Sequence, residues 1–437
     1  MNYYYFSKRV TELKEYMQMT ETELKDELKA VDEEYNRFAA MKLSLNMARG
    51  KPSAEQLDFS EELLTVVDSR EKVISANGVD CRNYGGLDGL DESKILFSDM
   101  LNVPAEKVIV GGNSSLNLMF DFIAQGMLTG FDGEPWIKQG EVKFICITPG
   151  YDRHFAICEH FGIKMIPVAM LDDGPDMEEI EKLVCDPLVK GIWCVPKYSN
   201  PTGNTYSDEV VRRFAALKPA AKDFRIMWDN AYALHFLDEN DDDKLLDILD
   251  ECEKAGNPDL AVMFASTSKV TFPGGGIAAI AASEHNLDLI KARMTIQTIS
   301  GDKLNQLRHA RIFTDLDTLK AHMKKHADSL KPKFELVIET LKKELDGLGI
   351  LAWREPKGGY FVSADTLPGC AKRTVALCKE AGLIMTGAGA TFPYGKDPLD
   401  SNIRIAPSFP PIDELKTAMQ LFTVAVKKAT LEMLING

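Results

Sequence analysis

Phe264-Ala-Ser-Thr-Ser-Lys-Val-Thr-Phe-Pro-Gly-Gly-Gly276 sets Lys269 at the end of an apolar, strand-like run, frames it with serines and follows it with three glycines. A lysine in a partly desolvated site has its pKa lowered, and the neutral amine then attacks a carbonyl to give a Schiff base. The chain holds 51 lysines and arginines, most of which serve as solvated surface charge, so Lys269 gains meaning only together with segments upstream of it.

Arg225-Ile-Met-Trp-Asp-Asn-Ala-Tyr232 puts the Asp229 carboxylate at the carboxyl end of a strand that reads as buried. Such a carboxylate needs a cationic partner, for which a protonated ring nitrogen qualifies; the same residue can instead cap the next helix. In Val195-Pro-Lys-Tyr-Ser-Asn-Pro-Thr-Gly203, Asn200 precedes a proline and is biased toward extended backbone at a turn. Its amide can donate to a phenolate oxygen, or the segment is an ordinary Asn-Pro turn. Val108-Ile-Val-Gly-Gly-Asn-Ser-Ser-Leu-Asn-Leu-Met-Phe120 runs from strand through a glycine turn into a helix. Backbone amides at that helix start, with the Ser114 and Ser115 hydroxyls, form an anion site, unless the turn is only a cap. Together the four segments supply what pyridoxal phosphate requires: a covalent lysine, an acid that keeps the ring an electron sink, donors to its phenolic oxygen from Asn200 and Tyr232, and a phosphate cradle.

In this order, Gly111-Gly-Asn-Ser-Ser115, Asn200-Pro-Thr-Gly203, Asp229-Asn-Ala-Tyr232 and Ser266-Thr-Ser-Lys269 resemble the fold-type I pyridoxal phosphate enzymes of the class I/II aminotransferase group, over nearly the whole chain. Leu45-Asn-Met-Ala-Arg-Gly-Lys-Pro-Ser-Ala-Glu-Gln-Leu-Asp58 and Asn83-Tyr-Gly-Gly-Leu-Asp-Gly89 most resemble the bacterial aspartate aminotransferase subgroup Ic. The resemblance implies that Lys269 is the Schiff-base lysine and proton shuttle, Asp229 the partner of the ring nitrogen, and Asn200 and Tyr232 the phenolate donors. It implies that Tyr151 stacks on the ring, that Asn113, Ser114, Ser115 and Ser266 hold the cofactor, and that Tyr84 reaches the phosphate of a neighbouring subunit in a homodimer with shared active sites. Arg404, in Asn402-Ile-Arg-Ile-Ala-Pro407, takes the role of the arginine that grips the substrate's α-carboxylate, although it also suits the polar face of an edge strand. Many relatives carry a phosphate-binding arginine eight positions after the lysine, where this chain has Ile277. The expectation is that neutral donors compensate, including backbone amides of Gly274 to Gly276 and the Ser266 hydroxyl.

The 437 residues, 45% hydrophobic and 27% charged, form an ordinary globular composition, and no run is long enough to read as a membrane span. A formal charge of -15 argues against a nucleic-acid surface. The start shows no signal-peptide pattern, so a cytoplasmic location is expected. Eight cysteines lack paired C-x-x-C spacing and seven histidines show no metal-ligand spacing, so neither a disulfide framework nor a metal is expected; Cys146 and Cys194 read as small core residues. Seven strand-like runs from Val108 to Ala282 alternate with helical stretches, which predicts an α/β fold with a mostly parallel sheet covered on both faces. The predicted division is a large cofactor-binding domain over 59–314 and a smaller α+β domain from 1–58 and 315–437.

The expected reaction is reversible amino transfer between an amino acid and a 2-oxo acid. Arg49, beside Gly50 in a segment that relatives place against the substrate, suits a second carboxylate and favours aspartate or glutamate; a structural ion pair is its other reading. Gln297, Lys303 and Arg308 are further pocket candidates. Rival readings are an aminotransferase or β-lyase for another amino acid, and a MocR-like regulatory domain. Against the last, the forty or so residues before Leu45 are acidic, as in Glu21-Thr-Glu-Leu-Lys-Asp26, and show no helix-turn-helix.

Overall fold

The computed structural model describes residues 15–68, 70 and 72–436. Thr20 opens the helix Glu21–Ala40 with a capping box, its hydroxyl accepting from Glu23 N while the Glu23 carboxylate accepts from Thr20 N. Leu24, Val31 and Tyr35 form its buried stripe, which packs on the carboxy-terminal helix Ile412–Asn436. The polar, helix-periodic segment from Glu21 to Leu43 reads from the sequence as one amphipathic helix, and the helix formed ends three residues before Leu43. It leads into strand β1 (Leu45–Met47), which pairs in parallel with Leu383–Met385.

The central sheet contains β2 (Val108–Val110), β3 (Lys143–Thr148), β4 (Lys164–Ala169), β5 (Val189–Cys194), β6 (Arg225–Asp229), β7 (Ala261–Ser266) and β8 (Ala278–Ala282), in the spatial order β2-β8-β7-β6-β5-β3-β4. Strands β3 to β7 run parallel, while β8 runs antiparallel to both β7 and β2. The mostly parallel sheet read from the sequence is present, and each strand falls within two residues of its expected place. Every residue of β5, β6, β7 and β8 is buried, as continuous apolar runs require when helices cover both faces. Alternate side chains feed opposite layers. Phe144, Trp193, Met227 and Phe264 point to one side, and Ile145, Ile192, Ile226 and Met263 to the other. Each such aliphatic side chain contributes roughly 1.5–3 kcal/mol relative to exposure.

The crossovers between parallel strands carry the helices Asp152–His160, Met177–Leu183, Asp208–Ala215 and Ile248–Lys254. Because these connections leave the carboxyl ends of the strands, the segments after β3, β5, β6 and β7 emerge along one rim, where open α/β sheets bind ligands.

Outside the central sheet, β9 (Leu351–Trp353), β10 (Val362–Thr366), β11 (Leu383–Met385) and β12 (Asn402–Ile405) follow the long helix Leu316–Leu345. Strands β12, β10 and β9 form an antiparallel sheet in that order. Arg404 thus sits on an edge strand, yet all four residues of β12 are buried, so the exposed polar face allowed by the sequence is not formed. Cys146 and Cys194 are fully buried and Cys185 is exposed; all eight cysteines are free. Among the described residues no helix is long and apolar enough to cross a membrane.

Candidate active site

Lys269 lies in the turn that follows β7, where Thr267 O accepts from Val270 N at 2.9 Å and from Thr271 N at 2.8 Å. Side chains from four directions brace this turn. Lys269 O accepts from His235 Nε2 at 3.4 Å and from the Tyr360 hydroxyl at 3.5 Å, and Val270 O accepts from His322 Nε2 at 2.7 Å. His309 donates through Nδ1 to Asn305 O at 2.8 Å, so its Nε2 accepts from Thr271 Oγ1 at 3.0 Å. The backbone is held while the amine is not: Lys269 forms no ion pair among the described residues, and its Nζ lies 4.7 Å from the centre of the Tyr232 ring. Burial holds its ammonium below the usual lysine range, and the charge of Asp229 acts in the opposite sense.

Asp229 is the last residue of β6 and is 2% exposed. Its Oδ2 lies 3.1 Å from His154 Nε2, whereas its enclosed Oδ1 has no hydrogen-bond partner. An unpartnered buried carboxylate oxygen costs on the order of 1–3 kcal/mol or more, and a cationic N–H donor such as a protonated pyridine nitrogen removes that cost. The residues present therefore fit the cofactor expected from the sequence. His154 is fixed by stacking on Trp193, with centroids 4.4 Å apart and planes 10° from parallel, and by an edge contact to Tyr151. Burial pushes the hydroxyl pKa of both Tyr151 and Tyr232 upward, so both remain protonated donors at neutral pH.

Asn200 and Arg404 meet although 204 positions separate them: Arg404 Nη1 donates to Asn200 Oδ1 at 3.1 Å. The same Nη1 donates to Asp152 Oδ1 at 3.1 Å, Nη2 donates to Thr386 Oγ1 at 3.3 Å, and the guanidinium carbon stands 4.7 Å from the Phe361 ring centre. With its Oδ1 occupied by Arg404, Asn200 keeps its amide hydrogens for another acceptor.

The Gly111–Ser115 turn and the Pro273–Gly276 loop abut, with Asn113 Nδ2 donating to Pro273 O at 3.3 Å. A Cβ on Gly276 would sit 3.3 Å from Asn113 O and 3.2 Å from Thr267 Oγ1, so any side chain there would have to push these neighbours back by a few tenths of an ångström. Ser114 precedes the helix Ser115–Leu128 without capping it, its hydroxyl donating instead to Asn117 Oδ1 at 2.8 Å. First-turn amides left without a side-chain acceptor suit an anion. Ser266 Oγ donates to Ser268 Oγ at 3.1 Å, and Ile277 is buried apolar core.

Among the described residues, Tyr84, Arg49, Lys303, Gln297 and Arg308 make no hydrogen bond or ion pair with this cluster, whereas Gly50 reaches it through Phe361. Tyr84 is 75% exposed, and Arg49 is exposed without an ion pair among the described residues. Gly50 packs so closely on Phe361 that a Cβ would fall 2.5 Å from its Cζ. Lys303 is buried with Nζ donating to Gly85 O at 2.6 Å, and Gln297 donates to Asp121 Oδ2 at 2.7 Å. Arg308 has an enclosed Nε without a partner.

His154, Asp152, Thr386 and Phe361 were not singled out by the sequence reading. His154 had a local signal, lying three positions after Tyr151 at the start of a helix, where the two side chains share a face. Thr386 and Phe361 had none, because each reaches Arg404 only through the packing of a second sheet. Histidines 322 and 326, one turn apart, face each other at 3.1 Å; among the described residues no group of three or more His, Cys, Asp or Glu is placed to hold a metal.

Residues 19–437 match the family model described as aspartate amino-transferase. The chain is 45% identical to an aspartate aminotransferase of Corynebacterium glutamicum, over 93% of this chain and 94% of that protein. A crystal structure of an aspartate transaminase from C. glutamicum superposes with a TM-score of 0.92 at 44% identity, covering 94% of this chain and 97% of that one. A Thermus thermophilus α-aminoadipate aminotransferase, solved with N-(5'-phosphopyridoxyl)-L-leucine, shares the fold at 17% identity, with a TM-score of 0.72 over 92% of this chain and 95% of that one.

Proposed function

The chain belongs to the aspartate amino-transferase family, and on that footing we propose that it moves an amino group between aspartate or glutamate and a 2-oxo acid, with pyridoxal 5'-phosphate carried on Lys269. The observation that carries this reading is the pairing of a half-buried amine at Lys269, without an ion pair among the described residues, with the half-satisfied carboxylate of Asp229. Pyridoxal phosphate, when bound, supplies the sink for charge that develops at the substrate's α carbon.

Every other task falls to the chain's own residues. Desolvation lowers the ammonium pKa of Lys269 and so favours the neutral Nζ, which can take the α proton and deliver it again within the same half-reaction. Asp229 Oδ1 holds a ring N–H, and His154 on Oδ2 orients the carboxylate. The Asn200 amide and the Tyr232 hydroxyl donate to the phenolic oxygen, and Tyr151 covers the ring. Asn113, Ser114, Ser115 and Ser266, with the Gly274–Gly276 backbone, hold the phosphate without a cation at position 277. Arg404 binds the α-carboxylate, and Arg49, beside Gly50, meets the side-chain carboxylate, a role that its exposure and the absence of an ion pair among the described residues support.

Tyr84 is assigned to a neighbouring subunit's site in a homodimer, which fits its exposure. The division into 59–314 and 1–58 with 315–437 belongs to the same reading, supported by sheet membership: β2 to β8 fall inside the first range and β1 and β9 to β12 inside the second. A cytoplasmic location completes it.

The test is a half-reaction screen in which single amino acids are added to purified holoenzyme while cofactor absorbance is followed. Aspartate and glutamate should give the largest changes, and Arg49→Ala should weaken both selectively. A response confined to other amino acids, or unchanged aspartate kinetics in Arg49→Ala, removes the corresponding assignment.

A further inference from the structure

Arg404 has five N–H groups, and their present use determines how a carboxylate can reach it. Both hydrogens of Nη1 are engaged, one by Asp152 Oδ1 and one by Asn200 Oδ1, each at 3.1 Å. One hydrogen of Nη2 goes to Thr386 Oγ1 at 3.3 Å, and Nε is enclosed without a partner. A carboxylate docking in the parallel two-bond manner across the Nη1–Nη2 edge needs one hydrogen from each nitrogen. Nη2 has one free and Nη1 has none, so an acceptor must leave.

Asn200 is 5% exposed and fixed at its turn, while the Asp152 side chain is 34% exposed. Asp152 is also the first residue of the helix Asp152–His160, so its charge, once released, remains favourable beside the helix amino terminus and in water. Arg404, 6% exposed, needs a counter-ion at all times. We propose that Asp152 is a displaceable stand-in for the substrate's α-carboxylate, neutralising Arg404 in the empty site and yielding its donor when substrate enters. This rests on the assignment of Arg404 as the α-carboxylate anchor. The consequence is a lowered ground-state affinity that speeds product release, because two carboxylates compete for one guanidinium.

Asp152→Asn and Asp152→Ser, which keep a small polar side chain in the first helical turn, test it by calorimetric titration of holoenzyme with succinate, a dicarboxylate that lacks an amino group. Both variants should bind succinate about three- to tenfold more tightly, as expected for removing a like charge a few ångströms away, and KM for the amino donor should fall without a rise in kcat. Asp152→Glu should restore weaker binding. Unchanged or weaker succinate binding in the Asn and Ser variants overturns the proposal. Arg404→Lys is run in parallel: if it leaves succinate affinity intact, the anchor assignment itself fails, whereas a large loss there beside a flat Asp152→Asn response removes only the role given to Asp152.

Discussion

His154 Nε2 lies 3.1 Å from one oxygen of Asp229, and the other oxygen, enclosed in the same site, has no partner. The carboxylate is thus oriented from behind and left with one strong acceptor to offer. Asp229→Asn keeps the shape and removes the charge, so turnover should fall roughly 100- to 10,000-fold while the melting temperature stays near that of the parent. His154→Asn should lose less, about tenfold to a hundredfold, the worth of a hydrogen bond to a charged group. Equal rates for Asp229→Asn and the parent would remove Asp229 from the chemistry.

Lys269→Ala should abolish transamination and the absorbance of covalently held cofactor, with the fold intact. The turn is braced through the carbonyls of residues 269 and 270, not through the lysine side chain, so truncation should leave it in place. Normal turnover in this variant would end the covalent mechanism.

Gly50→Ala places a methyl group 2.5 Å from Phe361 Cζ, and the Phe361 ring covers the Arg404 guanidinium. The ring must shift, and Arg404 with it. KM for the amino donor should rise roughly tenfold with a smaller change in kcat. A substitution without kinetic effect would show that Phe361 does not set the arginine.

Acid should weaken the fold through its buried histidines. Burial holds His309 at about 4 and His326 at about 3, whereas an unfolded histidine titrates near 6.5. The native state therefore binds fewer protons, so this stability is complete above about pH 6.5 and is lost as pH falls toward 4, by roughly 3 kcal/mol for each group. The geometry gives the reason for His326: its Nδ1 accepts from Gln56 Nε2 at 3.0 Å, and a proton there would set donor against donor. Urea unfolding at pH 7, 5.5 and 4.5 should show the decline, and His326→Gln should flatten it. An unchanged slope in that variant would assign the acid sensitivity to other groups.

Much of the large sheet was legible because its strands carry uninterrupted apolar runs, such as Ile226 to Trp228 and Ala261 to Ala265, bounded by turn residues. A parallel sheet buried on both faces writes itself into local composition. The residues proposed to hold the cofactor were legible for a related reason: each lies within a few positions of a strand end, so strand placement also placed Asn200, Asp229 and Lys269. Arg404 was located by resemblance, but its edge-strand position suggested a polar face that burial under Phe361 and Thr386 does not allow.

By itself, then, the sequence determined which segments are strands and which strand ends carry the residues proposed for the chemistry, because these properties depend on neighbours along the chain. Tertiary structure alone decided that His154 orients Asp229, that Asp152 and Asn200 divide one nitrogen of Arg404, and that histidines 235, 309 and 322 clamp the lysine turn. Those partners lie up to 252 positions apart. A hydrogen bond depends on a few ångströms of space, and only the packing of one sheet and its helices against another brings such residues within that reach.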